Sequence, residues 1–162
     1  MEPTIERTSK GFRLFASARI QQPRDRVFEF FSDARNLERI TPPLLKFSIL
    51  TEGPIDMRVG TLIDYRIRIR GLPVKWRTEI TGWDPPHVFE DTQLKGPYRQ
   101  WIHQHRFYDE GDWTRMEDTV DYRVFGGRLI NRFFVAPDVL KIFTYRNQML
   151  QSIFGDGDEL AS

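Results

Sequence analysis

The sequence contains no cysteine among its 162 residues. It therefore cannot form a disulfide, a thiolate metal site or a cysteine nucleophile, and its composition does not point to an oxidising compartment. An excess of charge is also missing, since 24 lysines and arginines stand against 23 aspartates and glutamates. Non-specific nucleic-acid binding needs a clear positive excess on one face. We therefore expect no nucleic-acid partner.

Long hydrophobic runs are missing as well. No stretch approaches the roughly 18 uncharged apolar residues of a membrane span, and the first residues lack the basic-then-apolar layout of a signal peptide. We therefore predict a cytoplasmic protein without a transmembrane segment, and leave transient membrane contact and the oligomeric state open. Phosphate-loop, dinucleotide-binding and nucleophile-elbow motifs do not occur, so we predict no cofactor.

Aromatic residues are what the chain has in excess, with 13 Phe, 5 Tyr and 4 Trp making up 14% of it. A domain of this length buries roughly 70% of its unfolded surface, and Leu, Ile and Val alone could build such a core. The aromatic content therefore needs a further explanation. No repeat or composition shift divides the chain, so we predict one domain over residues 1–162 with its core at 12–154. Residues 1–10 and 155–162 resemble frayed ends.

Alternating apolar residues predict a first strand over residues 12–20. Pro23 then favours the start of a short helix, and residues 33–39 predict a second one that Pro42 and Pro43 must end. In the segments that prolines and glycines separate, apolar and polar residues alternate with a period of two. This pattern predicts six further strands, over residues 44–51, 61–70, 74–81, 88–95, 98–108 and 113–124.

Apolar residues at helical spacing predict one long helix over residues 129–154, which Pro137 should kink or split. Short connections between successive strands predict an antiparallel sheet, giving an α+β fold of seven strands. Its apolar face needs a cover, and only the long helix is large enough. Since a curved sheet offers more area than one helix covers, we expect an internal cavity between them.

Four local stretches are specific enough to compare with known families: NLERITPP at 36–43, WDPPHVFEDTQ at 83–93, GPYRQWIHQHRF at 96–107 and MEDTVDY at 116–122. Together they resemble the SRPBCC superfamily of START, Bet v 1 and polyketide cyclase/dehydrase-like proteins, and its bacterial members in particular. The resemblance covers residues 12–154. It implies the helix-grip fold, in which a seven-stranded sheet grips a C-terminal helix around a cavity for a hydrophobic molecule. It implies no particular reaction, because the superfamily includes carriers, receptors, cyclases and proteins that act on ribosomes.

Strand alternation places His103 and His105 on one face of their strand, and Asp118 on one face of the next. These three are the candidate catalytic residues. The orientation of the strand that carries Asp91 stays open, since both of its faces bear polar groups. The candidate ligand-binding residues are Tyr65, Trp76, Phe89, Asp91, Gln93, Trp101, His103, His105, Phe107, Tyr122 and Phe143.

Three hypotheses compete for this constellation. His103 and His105 could ligate a metal together with Asp91 or Asp118, but a His-x-His pair is a short signal and the third ligand is unassigned, so we predict no metal site. A histidine beside Asp118 could act as an acid or base in a cyclase or dehydratase, although no nucleophile stands out. The polar groups could instead form a satisfied network that orients a bound ligand.

The third hypothesis is the one we adopt: a protein that binds a lipid, quinone or polyketide-like molecule in a cavity. A cyclase/dehydratase-type enzyme is the first alternative. The second is an interaction protein that meets RNA, a ribosome or a membrane through a basic sheet face, which comprises Arg66, Arg68, Arg70, Lys75 and Arg77. The neutral overall charge favours an ordinary solvated sheet face over such a role.

Overall fold

The computed structural model describes residues 1–155, and these form eight strands, three α-helices and three shorter helical turns. The strands are β1 (Thr4–Arg7), β2 (Phe12–Ile20), β3 (Ser48–Ile49), β4 (Leu62–Ile69), β5 (Leu72–Asp84), β6 (Val88–Lys95), β7 (Gln100–Asp109) and β8 (Thr114–Arg123). The helices are α1 (Arg24–Ser32), α2 (Gly127–Ile130) and α3 (Ala136–Gly155). Two 3-10 helices cover Ala34–Ile40 and Pro43–Leu45, and a π-helical turn covers Asn131–Val135.

All the strands belong to one antiparallel sheet with the order β1-β2-β8-β7-β6-β5-β4-β3. The α+β class, the antiparallel sheet and the long C-terminal helix are confirmed, whereas the predicted number of seven strands is wrong. The eighth strand is β1, which lies in the segment predicted to be a frayed end. It is an edge strand that pairs with β2 from Thr4 opposite Phe15 to Arg7 opposite Phe12. Of the predicted frayed end at residues 155–162, Gly155 is the last residue of α3, and residues 156–162 lie outside the described part of the chain.

The segment predicted as a strand over residues 44–51 is mostly irregular. Pro43–Leu45 forms a 3-10 helix, and only Ser48–Ile49 joins the sheet, opposite Tyr65 and Arg66 of β4. Lys46 has a φ of 44°, in the left-handed region, which interrupts the extended backbone that the alternation implied. The 3-10 helix Ala34–Ile40 contacts α1 and α3, and the 3-10 helix Pro43–Leu45 contacts β4.

The long strand β5 bends where it crosses the sheet. Its pairing with β6 shifts register between Arg77 and Thr78 and again between Ile80 and Gly82. Such bulges increase the local twist and bend a strand, which lets one sheet curve around a helix. The concave face is therefore continuous from β2 to β4.

The C-terminal helical segment is irregular just before Pro137. The N–H of Ala136 donates to the carbonyl oxygen of Asn131, five residues earlier, in a π-type bond. Pro137 has no N–H to continue the ladder, so the irregular turn comes immediately before it. The regular helix α3 runs on to Gly155.

Two hydrophobic clusters hold α3 against the sheet. One joins α1 to the C-terminal half of α3 through residues such as Val27, Phe28 and Leu150, and the other joins β2 and β8 to its N-terminal half. A third, smaller cluster of Phe47, Ile67 and Trp76 lies across the sheet. In the described part of the chain, no helix is both long and apolar enough to cross a membrane.

Candidate functional site

A cavity of about 1040 Å³ lies between the concave face of β4 to β7, the two 3-10 helices and α3. It occupies the space between the third hydrophobic cluster and the helix. Eight of the eleven candidate ligand-binding residues line it: Tyr65, Trp76, Phe89, Asp91, Trp101, His103, His105 and Phe143. Most are aromatic, so much of the wall is built from the side chains that the composition has in excess.

Three candidate residues lie outside the cavity wall. The Gln93 side chain turns back onto the Tyr98 backbone, where its Nε2 donates to the carbonyl oxygen at 2.8 Å. Phe107 packs in the hydrophobic core with its ring 5.2 Å from that of Phe28. The Tyr122 hydroxyl donates to Asn131 Oδ1 at 3.0 Å, below the π-helical turn.

Strands β6, β7 and β8 bring two carboxylates and two imidazoles together. The register sets Asp91 opposite His103 and His105 opposite Asp118. Asp118 Oδ1 lies 2.9 Å from both His103 Nε2 and His105 Nδ1. Asp91 Oδ2 lies 3.1 Å from His105 Nε2 and 3.9 Å from His103 Nδ1. The three candidate catalytic residues therefore meet, with Asp118 behind the histidines and Asp91 beside the cavity.

The sequence interpretation missed Arg146 of α3, which completes this cluster. Its Nε lies 3.4 Å from Asp118 Oδ2 and its Nη2 lies 3.2 Å from His105 Nδ1. The side chain is buried, with the guanidinium carbon 5.2 Å from the Phe31 ring centre. One signal was available: Arg146 lies on the helical face of Phe143 and Leu150, where a charge interrupts an apolar stripe.

The partners of these buried carboxyl groups decide their charge. Burial acts to raise the pKa of Asp118, but Arg146 and the hydrogen bonds from both histidines outweigh it and hold that pKa well below its usual range. Burial likewise opposes the ionisation of Asp91, while the hydrogen bond from His105 and the two nearby imidazoles lower its pKa. Both carboxyl groups are therefore carboxylates at neutral pH.

His103 differs from its carboxylate neighbours. Burial and the neighbouring His105 lower its pKa to about 4, against the opposite effect of Asp118. The ring is therefore neutral at neutral pH. With its Nε2–H donated to Asp118, its Nδ1 keeps a lone pair that can accept a hydrogen bond or coordinate a cation.

The aromatic wall also carries polar atoms. Among residues 1–155, the indole Nε1 of Trp76 is buried and has no hydrogen-bond partner. Trp76 stacks on Tyr65 with ring centres 5.6 Å apart. Burial, with Asp91 and Tyr98 nearby, raises the pKa of Tyr65 well above its usual value, so its phenol stays neutral. Trp76 thus offers an unused donor in an otherwise apolar region.

The entrance of the cavity is marked by apolar side chains that both line it and reach solvent: Leu44, Phe125, Ile130 and Phe134. Arg70, in the turn between β4 and β5, crosses this region and bonds Asp138 of α3 through both carboxylate oxygens at 3.1 Å. Its guanidinium also lies 5.2 Å from the Phe134 ring centre. A hydrophobic molecule would meet an apolar rim before it enters.

The basic sheet face is partly neutralised by ion pairs. Arg77 donates to both oxygens of Asp64 at 2.7 and 2.9 Å. Arg70, which was predicted to belong to this face, lies instead in the turn after β4 and pairs with Asp138 of α3 at the cavity entrance. Arg66, Arg68 and Lys75 are exposed. The described residues therefore offer a face of mixed charge.

The sequence matches the family model described as polyketide cyclase/dehydrase and lipid transport over residues 20–144. A search of curated proteins finds no match.

Among solved structures, a protein from Arthrobacter aurescens is similar with a TM-score of 0.73 at 14% identity, covering 98% of this chain and 94% of that one. The Zhui aromatase/cyclase from Streptomyces sp. R1128 has a TM-score of 0.62 at 17% identity, covering 90% and 97% of the two chains. The major latex-like protein 151 of Panax ginseng has a TM-score of 0.61 at 14% identity, covering 88% and 96%. These neighbours show the fold, and the family match covers most of the sequence. The chain belongs to the polyketide cyclase/dehydrase and lipid transport family.

Proposed function

We propose that the protein binds a hydrophobic or aromatic small molecule in its cavity. The observation that carries this proposal is the volume of about 1040 Å³ behind an apolar entrance and enclosed largely by aromatic and aliphatic side chains. Ligand sites typically measure about 300–1000 Å³ and combine apolar walls with a few polar groups that fix orientation. The cavity has room for a lipid chain, a quinone or a polyketide-like ring system.

The polar groups of the wall favour a ligand that carries oxygen. The unpartnered Trp76 Nε1 can donate to a carbonyl or hydroxyl oxygen, and the free Nδ1 of His103 can accept from a hydroxyl. A buried donor without a partner is costly, and a ligand oxygen removes that cost. A purely hydrocarbon ligand would leave both atoms unsatisfied.

Filling the cavity tests the proposal. Ile67 is buried, lies on β4 and lines the cavity, whereas Leu72 of the same hairpin is 70% exposed. We expect Ile67→Trp to weaken binding of the uncharged fluorophore N-phenyl-1-naphthylamine by about tenfold or more, which corresponds to about 1.4 kcal/mol. Leu72→Trp adds the same ring to the surface and should leave the affinity unchanged.

Both variants should keep their circular dichroism spectrum and melting temperature, so that a change in fluorescence reports binding rather than unfolding. Equal affinities for the wild type and Ile67→Trp would place the fluorophore outside the cavity. A wild type that fails to bind the fluorophore at any concentration would also contradict the proposal.

A second candidate function is that of a cyclase/dehydratase-type enzyme, and the pair of Asp118 and His103 favours it. Asp118 accepts from Nε2–H and orients the imidazole, which leaves the Nδ1 lone pair, 3.9 Å from Asp91 Oδ2, available to take up a proton as a general base does. His103→Ala separates the two functions. A carrier would lose only affinity, whereas an enzyme would lose turnover of a poly-β-ketone thioester while it still binds this substrate. His87→Ala, at an exposed histidine, is the matched control.

A further inference from the structure

The side chains of Asp91, His103 and His105 converge in a way that ligand binding alone does not require. One potential ligand atom from each lies within 4.8 Å of the other two. Asp91 Oδ2 lies 3.1 Å from His105 Nε2 and 3.9 Å from His103 Nδ1. Ligand atoms held at about 2.1 Å around a tetrahedral metal ion lie about 3.4 Å apart. The observed spacings fall on both sides of that value.

Asp118 supplies the outer support that a histidine metal site needs. Metal-binding imidazoles usually donate their second N–H to a carboxylate, which fixes the tautomer and the ring orientation. Asp118 Oδ1 lies 2.9 Å from His103 Nε2 and 2.9 Å from His105 Nδ1, the ring nitrogens that are remote from Asp91. One carboxylate thus holds both rings so that the other nitrogen of each faces Asp91.

Arg146 is the other group beside His105. Its Nη2 lies 3.2 Å from His105 Nδ1, farther than the Asp118 oxygen at 2.9 Å. An ion bound at Nε2 would displace the proton that this nitrogen donates to Asp91, and Nδ1–H would then donate to the nearer Asp118 oxygen. Arg146 Nε also lies 3.4 Å from Asp118 Oδ2, so the carboxylate that supports both rings is itself held in place by α3.

We propose that Asp91, His103 and His105 bind a divalent transition-metal ion in the cavity, with Asp118 as the positioning residue. Two imidazoles and a carboxylate suit Zn²⁺, Co²⁺ or Fe²⁺ better than Mg²⁺ or Ca²⁺, which prefer oxygen ligands. Three protein ligands leave at least one coordination position open. Because the cluster lines the cavity, that position is accessible to the oxygen of a bound ligand.

The site goes beyond the proposed binding function and departs from the sequence expectation of no metal. The His-x-His spacing supplied two ligands, but the third depended on the orientation of β6. In the structure, Asp91 faces the cavity directly opposite His103.

The test is a titration of the chelator-treated, dialysed full-length protein with Co²⁺ by visible absorption and with Zn²⁺ by calorimetry. We expect one ion per chain, with Co²⁺ giving the intense ligand-field bands of a four- or five-coordinate nitrogen and oxygen site. His103→Ala and Asp91→Asn should remove the saturable binding. Asp118→Asn should keep it but weaken it by about 10- to 100-fold, as loss of outer-sphere support does elsewhere.

His87→Ala is the matched control, because this third histidine is exposed in the β5–β6 turn and contacts only Arg24 among the side-chain partners of the described chain. Binding that is lost in His87→Ala but retained in His103→Ala would overturn the proposal. No saturable binding up to about 1 mM Zn²⁺ by the wild type would do the same. Fluorophore binding by the metal-free protein is a separate readout, so either proposal can fail without the other.

Discussion

Replacing Arg146 with methionine should leave Asp118 as a buried carboxylate without its cation. Methionine preserves much of the length and the apolar stem of arginine, so the loss of packing against Phe31 and Phe143 is small. The Asp118 side chain is 3% exposed and that of Arg146 is 6% exposed, so water cannot replace the guanidinium. The two histidines still donate to Asp118, but neither restores the lost charge pairing in full.

The expected cost follows from this burial. Removing one partner of a buried ion pair typically costs about 3–5 kcal/mol, because the other charge stays desolvated. For a chain of this size, each kcal/mol lowers the melting temperature by about 2–4 °C, so the variant should melt roughly 6–20 °C lower. The double variant Arg146→Met, Asp118→Asn removes both charges and should recover part of that loss.

The assay is urea unfolding followed by circular dichroism, with a chelator present so that metal binding does not contribute. Arg13→Met is the control, since Arg13 and Asp121 form an ion pair whose side chains are 46% and 37% exposed. That pair should contribute about 0–1 kcal/mol. Two results would show that Arg146 does not compensate a buried Asp118 carboxylate. One is that Arg146→Met lowers the free energy of unfolding no more than Arg13→Met, and the other is that the double variant is less stable than Arg146→Met.

Two further predictions concern the core and the aromatic wall. Phe28 is 5% exposed and its ring contacts three other aromatic rings. Phe28→Ala should therefore lower the free energy of unfolding by about 3–5 kcal/mol. Phe125 is 62% exposed, so Phe125→Ala should change the free energy of unfolding by no more than about 0.5 kcal/mol in the same urea titration. Burial raises the pKa of Tyr65 and Tyr98. Above about pH 10 these two phenols ionise in the unfolded chain but stay neutral in the folded one, which favours unfolding. The free energy of unfolding is therefore unaffected by them below about pH 10 and falls as the pH rises above it. Phenolate absorbance in an alkaline titration should show these two tyrosines ionising only with unfolding; their ionisation in the folded state near pH 10 would contradict their burial.

The concave face of the sheet could be predicted from sequence because alternation has a fixed period of two. That rule places His103 and His105 on one face, and antiparallel pairing then sets His105 directly opposite Asp118. It does not say how much of this face the helices cover. Phe107 is on the same face but lies under α1, and Tyr122 lies under the π-helical turn, so neither reaches the cavity.

Contacts that depend on the placement of separate elements could not be predicted. Arg146 reaches Asp118 because of the rotation of α3 about its axis, which the helical period alone leaves free. Strand β1 is short and carries two charges among four residues, so its sequence gives little sign of pairing with β2. Gln93 shares the face of Asp91 by alternation, yet its amide bonds the Tyr98 backbone because the turn to β7 begins nearby.

Native mass spectrometry of the protein purified gently from its own host tests cavity binding most directly. Wild type and Ile67→Trp should be prepared in parallel, and each should be measured before and after denaturation. We expect the wild type to carry an organic molecule that denaturation releases, and Ile67→Trp to carry much less of it. A bare wild-type chain, or the same adduct at equal occupancy in both proteins, would contradict a ligand held in the cavity.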